Sequence, residues 1–116
     1  MKHNVKKFTL GREQGRRLAL MRALSESLVL HEKIRTTKAK ARALKTVIEP
    51  LVTKAKANTL TSRRMAAKVL YTDKAVRKLM EEIAPRYLER KGGYTRIVKL
   101  NVRANDAAEM VRIEFV

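Results

Sequence analysis

Lys33-Ile34-Arg35-Thr36-Thr37 is the stretch whose reading decides the fold. It is short, rich in β-branched residues and roughly alternating, and it lies between two strongly helical segments, so it reads as a single strand. Two more strands read near the end of the chain. Tyr94 to Val102 forms one; Val111, Ile113 and Phe115 alternate with Arg112 and Glu114 in the other, and Asn105-Asp106 supplies turn chemistry between them. The order helix, strand, three helices, two strands predicts an α/β (α+β) fold, a single two-layer domain in which the first strand joins the C-terminal hairpin.

The helices follow from apolar spacing. From about Glu13 to His31, Leu18, Met21, Leu24 or Ser25, and Leu28 recur at three or four residue steps, with Leu20 and Ala23 widening the stripe. Thr37 is placed to cap a second helix, whose buried stripe is Ala41, Leu44, Ile48, Leu51 and Ala55. Lys38, Lys40, Arg42, Lys45, Lys54 and Lys56 fall mostly off that stripe. Pro50 lies inside the pattern, where its missing amide and ring clash cost about 3 kcal/mol, so a kink or restart is expected. A short third helix follows Asn58-Thr59 and Thr61-Ser62 and packs Met65, Ala66, Val69 and Leu70. Asp73 is the expected cap of a fourth, with Val76, Leu79, Met80 and Ile83 inward and an end near Pro85.

Charge dominates the composition. The chain has 116 residues, with 28 Lys or Arg against 11 Asp or Glu and a net charge of +17. That length suits one domain. With 45% apolar residues it can bury roughly two thirds of its unfolded surface, which argues against a disordered basic tail. A pI near 10.9 implies self-repulsion that a polyanion relieves, and nucleic acid is the first candidate. The surplus is uneven: Lys2, Lys6, Lys7, Arg12, Arg16, Arg17 and Arg22 meet only Glu13 in the first 22 residues. Residues 1 to 12 also lack helical periodicity, so they read as an extended basic N-terminal arm ordered by its partner, ahead of a domain spanning residues 13 to 116.

Several chemistries are excluded or unsupported. Without Cys there is no disulfide framework, thiolate zinc site, iron–sulfur cluster or thiol catalysis. His3 and His31 have no metal-ligand spacing, and His31 is better placed to close a helix dipole. Glu81 and Glu82 are adjacent on a helix and diverge, so they are not an acid–base pair. No apolar run approaches a membrane span, and nothing near Met1 resembles a secretory signal. With no Trp, a lipid-surface helix is also disfavoured. The reading is a soluble, non-enzymatic protein without cofactor or small-molecule substrate, and no homo-oligomer is expected.

One loop stands out. Arg86, Tyr87, Arg90, Lys91, Tyr94 and Arg96 surround Gly92-Gly93 with guanidinium and aromatic groups that can pair phosphate and stack on exposed bases. Each tyrosine could equally pack on the core. Arg63 and Arg64, at the start of the third helix, oppose the sign a helix N-terminus prefers, which points outward to a partner.

Ile83-Ala84-Pro85-Arg86-Tyr87 and Arg90-Lys91-Gly92-Gly93-Tyr94-Thr95-Arg96-Ile97 together resemble the signature of the bacterial large-subunit ribosomal protein L-seventeen family. The same pattern runs through Met1-Lys2-His3, Leu10-Gly11-Arg12, His31 to Thr37, Ala39-Lys40-Ala41 and Glu49-Pro50-Leu51; Lys6-Lys7-Phe8-Thr9 departs from the usual rendering of the basic arm. The resemblance implies a cytoplasmic protein of the ribosome, one rRNA-binding domain on the outer side of the large subunit near the nascent-chain exit region, beside ribosomal protein L-thirty-two. Expected contacts with rRNA are Lys2, His3, Lys6, Lys7, Arg12, Arg16, Arg17, Arg22, Arg35, Lys38, Arg63, Arg64, Arg86, Tyr87, Arg90, Lys91, Gly92, Gly93, Tyr94 and Arg96. The rival readings are a basic DNA-compacting or regulatory protein, which lacks a clear recognition helix, and an RNA-processing enzyme with an unfamiliar site.

Overall fold

The strand at Lys33–Thr37 (β1) forms, and its partner is the last strand of the chain, Met110–Phe115 (β3). β3 also pairs with Thr95–Lys99 (β2), so the sheet order is β1-β3-β2 with both pairings antiparallel. This computed structural model describes residues 14–116; the arm read at 1–12, with Lys2, His3, Lys6, Lys7 and Arg12, lies outside the described residues. The sheet register sets Ile34 beside Ile113 and Thr36 beside Val111 on β1, and Ile97 beside Ile113 on β2. Period two then turns Val111, Ile113 and Phe115 toward the helices, where all three are buried. β2 is shorter than the run from Tyr94 to Val102, because past Leu100 the chain turns through an Arg103–Ala108 hydrogen bond instead of pairing.

Helix α2 (Lys38–Ala55) is the body's axis. Ala41, Leu44, Ile48, Leu51 and Ala55 are all buried, joined by Ala43 and Val52. The helix continues through Pro50 without a restart. Thr37 occupies the cap position, but its hydroxyl makes no capping bond. β1 runs into α2 with no loop, and the Lys38 amide bonds the Glu109 carbonyl at 3.0 Å, so sheet pairing takes over the anchoring.

Helix α1 (Gln14–His31) is buried on Ser25, Leu28 and Val29, while Leu18 is 59% exposed and Ala23 faces outward. The stripe read from sequence therefore holds only for its second half. The helix ends on Glu32, whose φ of 65° lies in the left-handed region and whose amide closes on the Leu28 carbonyl at 2.7 Å.

Helix α3 (Leu60–Val69) starts with a capping box: the Thr59 hydroxyl accepts from the Ser62 amide and Ser62 accepts from the Thr59 amide. Helix α4 (Asp73–Lys78) is capped by Thr72 rather than Asp73, which is its first helical residue; the Thr72 hydroxyl accepts from the Ala75 amide at 3.3 Å. Glu26 fixes that hydroxyl from α1 at 2.8 Å. After Lys78 the rod widens into a π turn (Leu79–Ile83) and closes with one α turn (Ala84–Arg86) containing Pro85. In a regular helix the Pro85 ring would meet the carbonyl of Glu81; the wider turn relieves that conflict and keeps Leu79, Met80 and Ile83 buried.

Candidate nucleic-acid interface

Helices cover one face of the sheet, and the opposite face carries the charge. Antiparallel register sets Lys33 and Arg96 on either side of Glu114, and Arg35 directly opposite Arg112. The Arg96 fork reaches the Glu114 carboxylate at 2.8 and 3.1 Å, and Arg112 reaches it at 2.5 Å along the same strand. Those two guanidiniums, Arg112 first, hold the Glu114 carboxyl below the usual carboxylate range. Four cations thus stand around one carboxylate, and Lys33 and Arg35 have no side-chain partner among the described residues. Like charges directly opposite across a strand pair disfavour the fold. Lys33 and Arg112 escaped the sequence reading. Their alternation with Ile34 and Val111 was legible, but the register that brings them together was not.

The Gly92-Gly93 loop is held from beneath. Gly93 has φ 62°, a conformation that suits glycine. The Glu49 carboxylate on α2 accepts from the amides of Tyr94 and Thr95 just after it. The Arg90 carbonyl accepts from the Lys56 ammonium and from the Tyr94 hydroxyl, the latter at 3.2 Å. The Arg90 Nε donates to the Gly92 carbonyl at 3.2 Å, and the Lys91 side chain is exposed.

Tyr87 and Tyr94 belong to the core. They are 4% and 0% exposed, with ring centroids 5.2 Å apart, and Tyr87 also faces Phe115 at 6.4 Å. The Tyr87 hydroxyl donates to the Val116 carbonyl at 2.6 Å, and the Tyr94 hydroxyl shares a bond with Thr53 at 3.1 Å. Burial raises the Tyr87 pKa, whereas the Lys56 ammonium and the Thr53 hydroxyl lower that of Tyr94. Of the two roles open to them in the sequence, stacking on exposed bases is closed to these enclosed rings.

The other proposed contacts divide by how the fold uses them. Arg22 turns inward: its guanidinium donates to the Val69 and Leu70 carbonyls at 3.3 and 3.4 Å and lies 4.2 Å above the Tyr71 ring. Arg86 pairs with Glu32, whose second oxygen lies 3.2 Å from Lys78. The hydrogen bond from Arg86, helped by Lys78, pulls the Glu32 pKa down to about 2. Lys38 lies 3.4 Å from Glu109 and Arg63 lies 4.0 Å from Glu81, both at the surface, where such pairs are weak and yield readily to a phosphate. Arg16 and Arg17 sit on the projecting first turns of α1, and Arg64 is exposed on α3. Lys38, Arg42 and Lys45 recur along one side of α2, adding a basic ridge whose last two members were not among the expected contacts.

The described residues hold no group of three or more His, Cys, Asp or Glu side chains able to take a metal ion, and none of their helices is long and apolar enough to cross a membrane. Every buried side-chain nitrogen and oxygen among them has a hydrogen-bond partner. The arrangement presents fixed positive charge over a satisfied interior.

Comparison with known proteins gives a consistent result. The family model described as "Ribosomal protein L17" matches residues 20–116. The chain is 50% identical over 117 residues to "Large ribosomal subunit protein bL17" of Hydrogenobaculum sp. (strain Y04AAS1), covering 100% of this chain and 99% of the relative. Proteins of the same description from Neorickettsia sennetsu and Syntrophotalea carbinolica are each 48% identical; the match covers all of this chain and, respectively, 100% and 75% of theirs.

Proposed function

Because this chain belongs to the ribosomal protein L17 family, we propose that it binds and tethers large-subunit rRNA near the nascent-chain exit region, next to ribosomal protein L-thirty-two. The family is a structural, non-enzymatic component of the ribosome, so the chain's work is association with the large subunit, its RNA and its proteins in the cytoplasm. Membership also displaces the DNA-compacting and RNA-processing alternatives.

The observation that carries the RNA reading is a surplus of cations without carboxylate partners among the described residues. Arg35, Arg64 and Lys91 are exposed, and no carboxylate among the described residues neutralises them. Together with the arm, assigned here to residues 1–12, they neutralise phosphates and release counterions. About eight such contacts give a log–log salt slope of about −6 to −7. The Gly92-Gly93 loop contributes Arg90 and Lys91 through a backbone pinned by Glu49 and Lys56.

The test is cosedimentation with large ribosomal subunits after a moderate-salt wash, joined to crosslinking from the arm and from Lys91. Retention with crosslinks to large-subunit rRNA is expected. Release into the soluble pool at near-physiological salt, without crosslinks, overturns the proposal.

A further inference from the structure

We infer that the open face of the sheet is a seat for the phosphate ridge of an RNA double helix, with Lys33 and Arg112 as contacts beside Arg35 and Arg96. The inference rests on the rRNA reading and adds to it a surface and a form of RNA. Two observations carry it. The first is the charge: four cations around Glu114, with Arg35 directly opposite Arg112 at a cross-strand spacing of about 5 Å. That juxtaposition is unfavourable in the free protein and favourable over a polyanion, since one row of phosphates relieves both members. The second is that no outward strand position among the described residues carries an aromatic side chain. Tyr87, Tyr94 and Phe115 are all buried, with Phe115 turned to the helix side.

A sheet that reads single-stranded RNA does so with exposed rings on which splayed bases stack. Here the outward residues are Lys33, Arg35, Thr37, Arg96, Val98, Met110, Arg112 and Glu114 in the alternating register. They offer ammonium and guanidinium donors, which suit phosphate oxygens rather than base faces. A five-residue strand is about 17 Å long and three strands span about 10 Å, enough for a few consecutive phosphates of one duplex edge. The Glu114 carboxylate holds the Arg96 and Arg112 guanidiniums by hydrogen bonds, so their positions are set before the RNA arrives.

The experiment measures binding of the full chain to a 20-base-pair RNA duplex, and to one of its strands alone, by fluorescence anisotropy across about 50 to 200 mM salt. Lys33→Gln/Arg112→Gln is compared with Lys74→Gln/Arg77→Gln, which removes the same charge from α4; Lys33→Gln alone covers the case in which losing Arg112 impairs folding. At roughly 0.9 per phosphate, the sheet variant flattens the duplex slope by about 1.8, and Lys33→Gln alone by about 0.9, while the α4 variant leaves it near the wild-type value. Equal flattening by both double variants, or none by the sheet variants, overturns the inference; the face then belongs to another partner, such as an acidic protein segment. A loss seen on the single strand and not on the duplex also overturns it. A wild-type chain that binds neither RNA instead overturns the rRNA reading itself, and this inference with it.

Discussion

The carboxylate of Glu49 takes both donors of Thr95: its Oε2 accepts from the Thr95 amide and from the Thr95 hydroxyl, each at 2.9 Å. The other oxygen, Oε1, accepts from the Tyr94 amide at 3.2 Å. One side chain in the middle of α2 thereby fixes where β2 begins and how the Gly92-Gly93 loop leaves the body. Thr95 is buried, so these donors have no water to turn to.

Glu49→Gln leaves one of the amides facing an NH2 group in place of an acceptor. The expected cost is about 2 kcal/mol, the penalty for an unsatisfied buried donor next to a lost charged acceptor. Urea denaturation reads the loss, and faster hydrogen exchange at the Tyr94 and Thr95 amides locates it. Wild-type stability in this variant would show that the contacts carry no weight.

Acid should loosen the junction of α1, the π turn and the sheet. The Glu32 pKa falls from 4.5 to about 2 in the folded chain. A depressed carboxyl contributes its full stabilisation above pH 4.5 and loses it as pH falls toward 2. With the side chain 36% exposed, solvent screening reduces this contribution to about 1 kcal/mol. Glu32→Gln should therefore be less stable than wild type at pH 6 and converge with it near pH 2. A constant gap between the two proteins across that range would refute the assignment.

Tyr94→Phe separates a core role from a binding role. It removes the hydroxyl shared with Thr53 and donated to the Arg90 carbonyl, at a cost of about 1 kcal/mol. RNA affinity, measured at the same salt, should stay at the wild-type value. Reduced affinity at unchanged stability would return the ring to the RNA.

Cap identity distinguishes Thr72 from its neighbour. Thr72→Ala loses the bond from the Ala75 amide and the bond to Glu26, costing about 1 to 2 kcal/mol. Asp73→Ala loses a surface pair with Arg77 four residues on, worth about 0.3 to 0.5 kcal/mol. Thermal unfolding of the two variants ranks them, and the reverse order would restore Asp73 as the cap.

Removing Glu114 should tighten RNA binding while weakening the fold. Glu114→Gln frees the Arg96 and Arg112 guanidiniums from the carboxylate and raises the net charge of the sheet face by one. Duplex affinity near 100 mM salt should rise severalfold. Lower affinity in a variant that remains folded would mean that the carboxylate's positioning of the two forks outweighs its charge.

The number and type of elements, the inward residues of α2, α4 and β3, and the cationic character of the surface were all written in local spacing. Period two and period 3.6 are properties of neighbours in sequence, and a net charge is a sum over residues. The family signature was legible in the same way, as residues at short fixed separations. Contacts between distant residues were not. Glu49 reads as one more helix carboxylate until the fold sets it beneath Tyr94 and Thr95, and Arg22 reads as a phosphate contact until α3 ends against it. The pairing of Arg35 with Arg112 needs the register of two strands more than seventy positions apart. Sequence alone determined which segments have one face to bury and how much positive charge the surface must carry. Tertiary structure alone decided which cations are consumed by carboxylates and carbonyls and which stay available, because partner choice depends on distances of a few ångströms between residues that local periodicity does not relate.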